Sequence, residues 1–388
     1  MAPGFEEVRR EFERNLAERG ELGAACAAYV RGEKVVDLWG GVRDARDGSP
    51  WREDTLVLVY STSKGLAAMT LAVANSRGWL DYDERVTTYW PEFGQAGKER
   101  VTVRQLLGHE AGLPIIDAPL NAEILADFDR LGELIARQRP IWEPGTRHGY
   151  HGVSLGWYMG ELIRRVDPSH RSLGRFFAEE IAGRLGSLDV HFGLPDEVPK
   201  ERLARIERIG PFKALPGLRH VPRGMLLAFM NPRSVSARTF ANPRLRGFAD
   251  LDRREYRRLE FPAGGAIGSA RDIARAYSAF CRPGGELELA SSTLEQLTRV
   301  PLPPRMGWFD EVLKVETAFS LGFSRPHNEF RFGSSERAFG HPGAGGSFAF
   351  ADPDRQISFA YVMNRLGFYL NNDPREKALR EAVYRSLS

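Results

Sequence analysis

A serine and a lysine stand three residues apart in the stretch YSTSKG, residues 60 to 65. The stretch LAAMTLAVANS follows; it is rich in strong helix formers and ends shortly before Gly78, so the pattern predicts a helix that begins at Ser61. Side chains three residues apart share one helix face, which places the Lys64 amine beside the Ser61 hydroxyl. An amine whose pKa is lowered by burial can accept the hydroxyl proton, and the helix N-terminus stabilises the resulting anion. The pair therefore indicates a nucleophilic serine.

A second serine, Ser154, lies in GVSLG, residues 152 to 156, which matches the GxSxG pattern of a nucleophile elbow. Such an elbow needs a strand before the serine, whereas Ser154 follows the loop WEPGTRHGYH and precedes a helical apolar pattern, WYMGELIRRV. Both short patterns also arise by chance in a chain of this composition, so the surrounding sequence must decide. We interpret Ser154 as a small residue in the first turn of a packed helix.

The histidines and cysteines do not form a metal-binding pattern. His148 and His151 are three residues apart, but no HExxH motif and no third ligand accompany them. Cys26 and Cys281 are too few for a disulfide framework and lack CxxC spacing, which favours two buried thiols. We predict neither a metal nor an organic cofactor.

Composition narrows the classes of protein that fit the chain. It has 388 residues, of which 42% are hydrophobic, and a net charge of +3. Scattered arginines such as Arg9 and Arg14 on a mixed-sign face predict a solvated surface and argue against a nucleic-acid partner. No apolar run has the length of a membrane span, and the charged start MAPGFEEVRREFERNL lacks the apolar region of a signal peptide. We expect a cytoplasmic protein with no membrane partner.

Helix and strand patterns alternate along the chain. They predict a helix from Phe5 to Glu18, a hairpin of strands 24–30 and 35–42, and helices over 121–138, 152–166, 172–185 and 269–280. Strand patterns return in VLKVETAFSLGF, ERAFGH, GSFAFADP and QISFAYVMN, before a helix that begins at Asp373-Pro374. The sequence thus predicts an α+β fold. Residues 1–79 and 256–388 form a domain with an antiparallel sheet flanked by helices, and residues 80–255 form a mainly helical domain.

Six stretches resemble, in this order, the serine β-lactamase-like hydrolases, specifically the class C β-lactamase-related esterases known as family VIII carboxylesterases. They are YSTSKG, WLDYDERVTTYWPEF, VTVRQLLGHEAGLP, EPGTRHGYHG, PAGGAIGSARDIARA and FGHPGAGGSFAFADP, and together they cover nearly the whole chain. The resemblance implies the β-lactamase/transpeptidase-like fold, an antiparallel sheet flanked by helices plus a helical domain. That fold agrees with the pattern of elements.

The resemblance also implies roles for individual residues. Ser61 would be the nucleophile, and Lys64 and Tyr150 the pair that moves its proton; which of the two is the base stays open. A lysine cation beside Tyr150 is expected to favour the phenolate. The backbone N–H groups of Ser61 and Ala344 would form the oxyanion hole. The substrate-binding place on the edge strand would be taken by His341, Pro342 and Gly343.

Two motifs depart from those of the family's penicillin-recognising members. Gly152 stands where their Tyr-x-Asn motif has the asparagine that holds the drug's amide side chain. His341-Pro342-Gly343 replaces Lys-Thr-Gly and brings neither a fixed cation nor a hydroxyl for the drug's carboxylate. We therefore expect a carboxylesterase that cleaves small, uncharged carboxylic esters through an acyl-serine intermediate.

Other activities of the same site are a weak β-lactamase, an amidase and an acyltransferase. An alternative of a different class is a non-catalytic ligand-binding protein that has kept the pocket. The presence of Ser61, Lys64 and Tyr150 together argues against this alternative. A DD-peptidase is disfavoured because no export signal is apparent. We expect the loops around 115–125 and the segment 210–250 to shape the pocket.

Overall fold

The computed structural model describes residues 1–208 and 215–387 of the chain. Its strands, in chain order, are β1 (Gly23–Val30), β2 (Glu33–Asp44), β3 (Ser49–Pro50), β4 (Val57–Leu58), β5 (Val190–His191), β6 (Ile267–Gly268), β7 (Phe319–Ser320), β8 (Phe323–Ser324), β9 (Phe339–Pro342), β10 (Phe348–Asp352) and β11 (Ile357–Met363). Within the described residues, eight strands form one antiparallel sheet in the order β3-β2-β1-β11-β10-β9-β8-β7. β1 pairs with β11, so the two ends of the chain meet in the centre of this sheet.

Helices cover both faces of the sheet and fill the middle of the chain. The first two α-helices are α1 (Glu6–Glu18) and α2 (Thr62–Ser76). The other α-helices are Val86–Tyr89, Val103–Leu107, Ala122–Ala126, Phe128–Arg137, Ser154–Val166, Leu173–Phe177, Arg223–Met230, Val235–Thr239, Arg254–Arg257, Ala270–Ala279, Ser291–Thr298 and Pro374–Arg385. Strands β4, β6 and β5 form a small second sheet in that order.

Side chains of different size line the two faces of the main sheet. Phe359 and Tyr361 of β11 belong to the core cluster that α1 and the C-terminal helix share. Their neighbour Ala360 points to the opposite side and packs with Ala27 in the cluster that contains α2 and the helix Ala270–Ala279. Successive side chains of a strand alternate between its faces. The small alanines therefore leave room for these two helices to lie close against the sheet.

Helix α2 runs through the interior, between the main sheet and the middle helices. Residues 62–74 of this helix are all buried, and the helix Ser154–Val166 belongs to the same core cluster. The helix ends before Gly78, whose φ of 73° favours glycine. Because packing covers α2 on every side, the positions of Ser61 and Lys64 at its start are fixed by the fold.

Most of the predicted elements are present, and the differences have local causes. Of the stretch VLKVETAFSLGF only Phe319–Ser320 and the beginning of Phe323–Ser324 are strands. The carboxylate of Asp310 accepts the N–H groups of Val312 and Leu313, which makes both unavailable to a strand ladder. The predicted helix over 121–138 is broken at Asp127, whose side chain caps the helix Phe128–Arg137.

The helix predicted over 172–185 changes type along its length. It begins as the α-helix Leu173–Phe177 and continues as the π-helix Ala178–Ala182. In the described part of the chain, the strands of the main sheet come from 1–79 and 256–388, and β5 is the one named strand between residues 80 and 255. The division into two domains at these boundaries stays a prediction.

Two further expectations concern the thiols and the membrane. Cys26 and Cys281 are buried and unpaired, as predicted. No helix among the described residues has both the length and the apolar character that crossing a bilayer requires.

Candidate active site

The turn before α2 presents Ser61 to a pocket. Tyr60 has a φ of 49°, a left-handed conformation that is unusual for a residue with a large side chain. Its buried ring packs edge-on against Phe248, with 6.0 Å between the ring centroids, and this packing supports the strained turn. Ser61 occupies the N-cap position of α2, but its side chain makes no capping hydrogen bond. The hydroxyl is therefore available to other groups in the site.

Lys64 supplies an amine next to that hydroxyl. Its Nζ lies 3.2 Å from Ser61 Oγ and 2.7 Å from each of the carbonyl oxygens of Gly152 and Ala263. The side chain is completely buried, and burial lowers the pKa of Lys64 well below its usual value of 10.5. A neutral amine has two N–H groups and one lone pair. If the two carbonyls accept the N–H groups, the lone pair remains for the proton of Ser61.

Tyr150 lines the same pocket as Ser61. Lys64 Nζ lies 4.7 Å from the centroid of the Tyr150 ring, and the ring stacks on Phe319 with 5.5 Å between centroids. Burial raises the pKa of Tyr150 above its usual value, and the hydrogen bond with Ser61 offsets this only in part. The expectation that Lys64 favours a phenolate is therefore wrong. Burial is the largest influence on the phenol and favours its protonated form.

Asp310 holds the backbone of Tyr150 in place. The two oxygens of this buried carboxylate accept the Tyr150 N–H at 3.1 and 3.0 Å, and one of them accepts the hydroxyl of Thr317 at 3.1 Å. No motif in the sequence pointed to Asp310. It lies 160 residues beyond Tyr150, so its contribution depends on tertiary contacts that local patterns do not contain.

Two residues that line the pocket have a backbone N–H group without a protein acceptor in the described structure. Both Ser61 and Ala344 line the pocket, and within the described residues neither N–H donates a hydrogen bond. The preceding residue, Gly343, donates its own N–H to the Ser347 carbonyl at 2.7 Å. A Cβ on Gly343 would lie 2.5 Å from the Val59 carbonyl oxygen. Glycine is thus required for the loop to approach the start of α2 so closely.

A buried ion-pair cluster supports the other side of this loop. The guanidinium of Arg375 donates to the Gly345 carbonyl at 2.9 Å and pairs with Asp373 at 2.9 Å and with Glu21 at 3.1 Å. Gly345 directly follows Ala344 in the chain. Arg375 therefore fixes the backbone next to one of the two free N–H groups.

His341 carries no charge in this site. Its ring is buried, Nδ1–H donates to the Pro342 carbonyl at 2.7 Å, and Nε2 has no partner in the described structure. Burial, and to a lesser extent the nearby Lys64, lowers the pKa of His341 to about 3. His341, Pro342 and Gly343 all line the pocket beside Ser61. The strand edge therefore presents a neutral surface to a bound molecule.

The space beside Gly152 is filled by an aromatic ring. A Cβ on Gly152 would lie 2.6 Å from Cε1 of Phe240, and such an approach requires the ring to move. An asparagine side chain therefore does not fit at this position while Phe240 keeps its place. Gly152 serves the site through its carbonyl, which binds Lys64.

The other chemically interesting side chains lie outside the pocket. The buried hydroxyl of Ser154 donates to the Leu113 carbonyl at 2.7 Å in the first turn of its helix. His151 Nε2 accepts the Leu113 N–H at 2.9 Å, and His148 Nε2 lies 2.9 Å from the Trp308 carbonyl oxygen. All three make hydrogen bonds to the backbone. The described residues contain no group of three or more acids, histidines or cysteines placed to hold a metal ion.

The pocket next to Ser61 has a volume of about 550 Å³. Its lining is mostly apolar and includes Met225, Phe240, Phe248, Phe319, Leu366 and Phe368. Of the segment 210–250, residues 221–250 contribute to it as expected, whereas residues 209–214 lie outside the described residues. The loop 115–125 does not line it. The Asn242 side chain binds the backbone of residues 116, 118 and 120, which holds that loop away from the pocket.

The chain is similar to known proteins over its full length. It matches the family described as Beta-lactamase over residues 8–383. The Esterase/beta-lactamase LipL of Mycobacterium tuberculosis (strain ATCC 25618 / H37Rv) is 31% identical over 372 residues, which are 94% of this chain and 82% of that protein.

Solved structures show the same likeness. The crystal structure of a family VIII carboxylesterase is 37% identical, with a TM-score of 0.86 over 100% of this chain and 98% of that one. A penicillin-binding protein homolog from Caulobacter crescentus is 36% identical, with a TM-score of 0.83 over 100% and 98% of the two chains.

Fold and sequence together define a hydrolase of the β-lactamase/transpeptidase-like fold, in a group that contains esterases. The chain belongs to the Beta-lactamase family, and its likeness includes the family VIII carboxylesterases. The resemblance and the fold class predicted from the sequence are therefore confirmed.

Proposed function

We propose that the protein is a serine carboxylesterase that cleaves small, uncharged carboxylic esters through an acyl-Ser61 intermediate. One observation carries the proposal: the buried amine of Lys64 lies 3.2 Å from the Ser61 hydroxyl, and two backbone carbonyls lie 2.7 Å from the same nitrogen. This arrangement suits a general base that takes one proton from one hydroxyl.

In the acylation step, Ser61 Oγ attacks the ester carbonyl carbon while its proton passes to Lys64. The carbonyl oxygen becomes an oxyanion, which accepts the N–H groups of Ser61 and Ala344. Collapse of this intermediate breaks the bond to the alcohol oxygen. Tyr150, which remains a phenol, gives its proton to that oxygen and regains one from the Lys64 ammonium. Water then attacks the acyl-enzyme with the same groups in reverse and releases the acid and free Ser61.

The pocket favours a neutral, apolar ester. Its lining is mainly aromatic and aliphatic, and a neutral His341 stands where a cation would attract a carboxylate. Phe240 fills the place next to Gly152. Each feature argues against tight binding of a carboxylated β-lactam, since a charge-assisted hydrogen bond contributes about 1.5–3 kcal/mol.

A matched pair of serine variants tests the proposal. Ser61→Ala should lower kcat for p-nitrophenyl esters by about 10⁴-fold or more, because a nucleophile is lost, and should abolish labelling by a fluorophosphonate. Ser154→Ala should keep most of the activity. Wild-type protein incubated with ester should gain the mass of one acyl group on the peptide that contains Ser61.

Contrary results point to the alternatives. An active Ser61→Ala variant together with a folded but inactive Ser154→Ala variant would overturn the assignment. Faster turnover of a chromogenic cephalosporin than of any ester from acetate to palmitate would favour a β-lactamase. A wild-type protein that neither hydrolyses esters nor takes the fluorophosphonate would be a ligand-binding protein.

A further inference from the structure

A second cleft, which does not include Ser61, lies between the end of β2 and the segments 200–208 and 249–257. Its volume is about 550 Å³, equal to that of the pocket at Ser61. Eight of the side chains that line it are arginine or lysine, and four are aspartate or glutamate. The whole chain has a net charge of only +3. Positive charge is therefore concentrated in this place.

Three of the cations that line the cleft form no ion pair with a described residue: Arg43, Lys200 and Arg205. The Arg43 guanidinium donates from one nitrogen to the Leu203 carbonyl at 2.9 Å and to the Lys200 carbonyl at 3.4 Å. These bonds hold the group in place, while its other two nitrogens bind no described residue. The side chains of Arg205 and Lys200 make no hydrogen bond or ion pair with the described residues. All three thus have donors available to a ligand.

Two of the four acids of the cleft form ion pairs with other arginines. Asp44 accepts from Arg46 at 2.5 Å and Asp252 from Arg257 at 2.5 Å. Arg205 also attracts both of these carboxylates, and Asp47 and Glu201 line the same cleft. With eight cations against four acids, the lining still carries an excess of positive charge. Neighbouring cations that repel one another are stabilised by a bound anion with more than one negative charge.

We propose that this cleft, referred to below as the arginine cleft, binds a ligand that carries two or more neighbouring phosphate groups. The planar fork of a guanidinium matches phosphate oxygens and binds them bidentately. None of the residues lining the cleft is aromatic, so it offers no stacking surface for a nucleobase. Recognition therefore rests on the phosphates, whether they belong to a nucleotide or to inorganic polyphosphate.

The arginine cleft and the Ser61 pocket share a wall. Arg208 and Ala249 line both of them. Arg208 lies 3.5 Å from the Asp250 carboxylate, and Asp250 also lines the Ser61 pocket. A polyphosphate that attracts Arg208 weakens this contact. Ligand in the cleft is thus expected to change KM for an ester more than kcat.

Calorimetric titration of the full-length protein with tripolyphosphate tests the proposal. Binding at micromolar concentration is expected, and a tenfold rise in NaCl should weaken it about tenfold because salt screens exposed charges. ATP should bind no more tightly than tripolyphosphate, since the cleft lacks a site for the base. If citrate bound as tightly as tripolyphosphate, the cleft would bind anions in general, and the proposal would be overturned. Tighter binding of ATP than of tripolyphosphate would also overturn it.

Two charge reversals locate the site. Arg205→Glu should weaken tripolyphosphate binding about tenfold or more, by loss of a charge-assisted contact, and should leave ester hydrolysis and Tm unchanged in the absence of ligand. Arg331→Glu is the matched control, because Arg331 is exposed and lies outside both cavities, and it should bind nearly as tightly as wild type. No binding by the wild type, or equal loss in the two variants, would refute the proposal.

Discussion

Replacing Lys64 with methionine isolates the contribution of the buried amine. Methionine has a similar length and is apolar, so it suits the buried position, but it cannot accept a proton. General-base catalysis contributes about 10²–10⁴-fold to a rate, so kcat for a p-nitrophenyl ester should fall by that factor. Lys64 contacts Ser61 and two backbone carbonyls and does not line the pocket. KM should therefore change little.

The same contacts predict that Lys64→Met lowers the stability of the protein only moderately. The variant leaves the carbonyls of Gly152 and Ala263 without their donor, and each buried group left unsatisfied costs about 1–3 kcal/mol. Two such carbonyls thus cost about 2–6 kcal/mol, and much of this cost is offset because a polar amine no longer has to be buried. We expect a folded variant whose Tm is lower by no more than about 10 °C, so a loss of rate reports on chemistry.

The pH dependence separates a base from a structural residue. Because burial lowers the pKa of Lys64, the amine is neutral above the lowered value, and kcat/KM should fall as the pH drops through it. The variant should lack this acidic limb. In the unfolded chain Lys64 is protonated below about 10.5, so the stability of wild type should rise relative to the variant between the lowered pKa and that value. A variant that retains kcat within about tenfold of wild type, or that keeps the same acidic limb, would refute the role of Lys64.

Two further predictions use the same steady-state assay. Tyr150→Phe should lower kcat by about 10²-fold through loss of the proton donor. The double variant with Lys64→Met should lose less than the product of the two single losses, since both residues belong to one proton-transfer unit. A loss equal to that product would show that the two residues act independently. Arg375→Lys keeps a charge opposite Asp373 but loses the fork that reaches the loop carbonyl, so kcat should fall about tenfold at nearly constant KM. A change confined to KM would instead place Arg375 in substrate binding.

The part of the site that depends on one helix turn could be predicted from sequence. Ser61 and Lys64 are three residues apart at a helix start, and helical geometry alone brings their side chains together. The partners that give Lys64 its properties could not be predicted in this way. Gly152 and Ala263 lie 88 and 199 residues further along the chain, and only the packing of α2 in the interior brings their carbonyls to the amine.

Two of the wrong expectations share one cause, since each ignored a polar side chain that binds backbone N–H or carbonyl groups. The apolar alternation after Asp310 is typical of a strand, but the carboxylate takes the N–H groups that a ladder needs. The loop 115–125 looked free to shape the pocket, but Asn242 holds its backbone elsewhere. Polar side chains of this kind compete with regular backbone pairing and leave no periodic pattern in the sequence.

The sequence departs from the penicillin-recognising motifs at Gly152 and at His341-Pro342-Gly343. These departures look independent in the sequence, but both leave the surroundings of Lys64 without an additional charge. Burial, and less strongly a Lys64 ammonium, lowers the pKa of the nearby His341, and burial lowers the pKa of Lys64 itself. A fixed cation at position 341 would repel the Lys64 ammonium and lower that pKa further, which weakens the amine as a base. With a neutral His341, and with Phe240 rather than a polar amide beside Gly152, the basicity of Lys64 is set by burial and its two carbonyl partners. The site thus combines a mostly apolar pocket with an amine that is spared a like-charged neighbour at position 341, a combination suited to the neutral esters proposed as substrates.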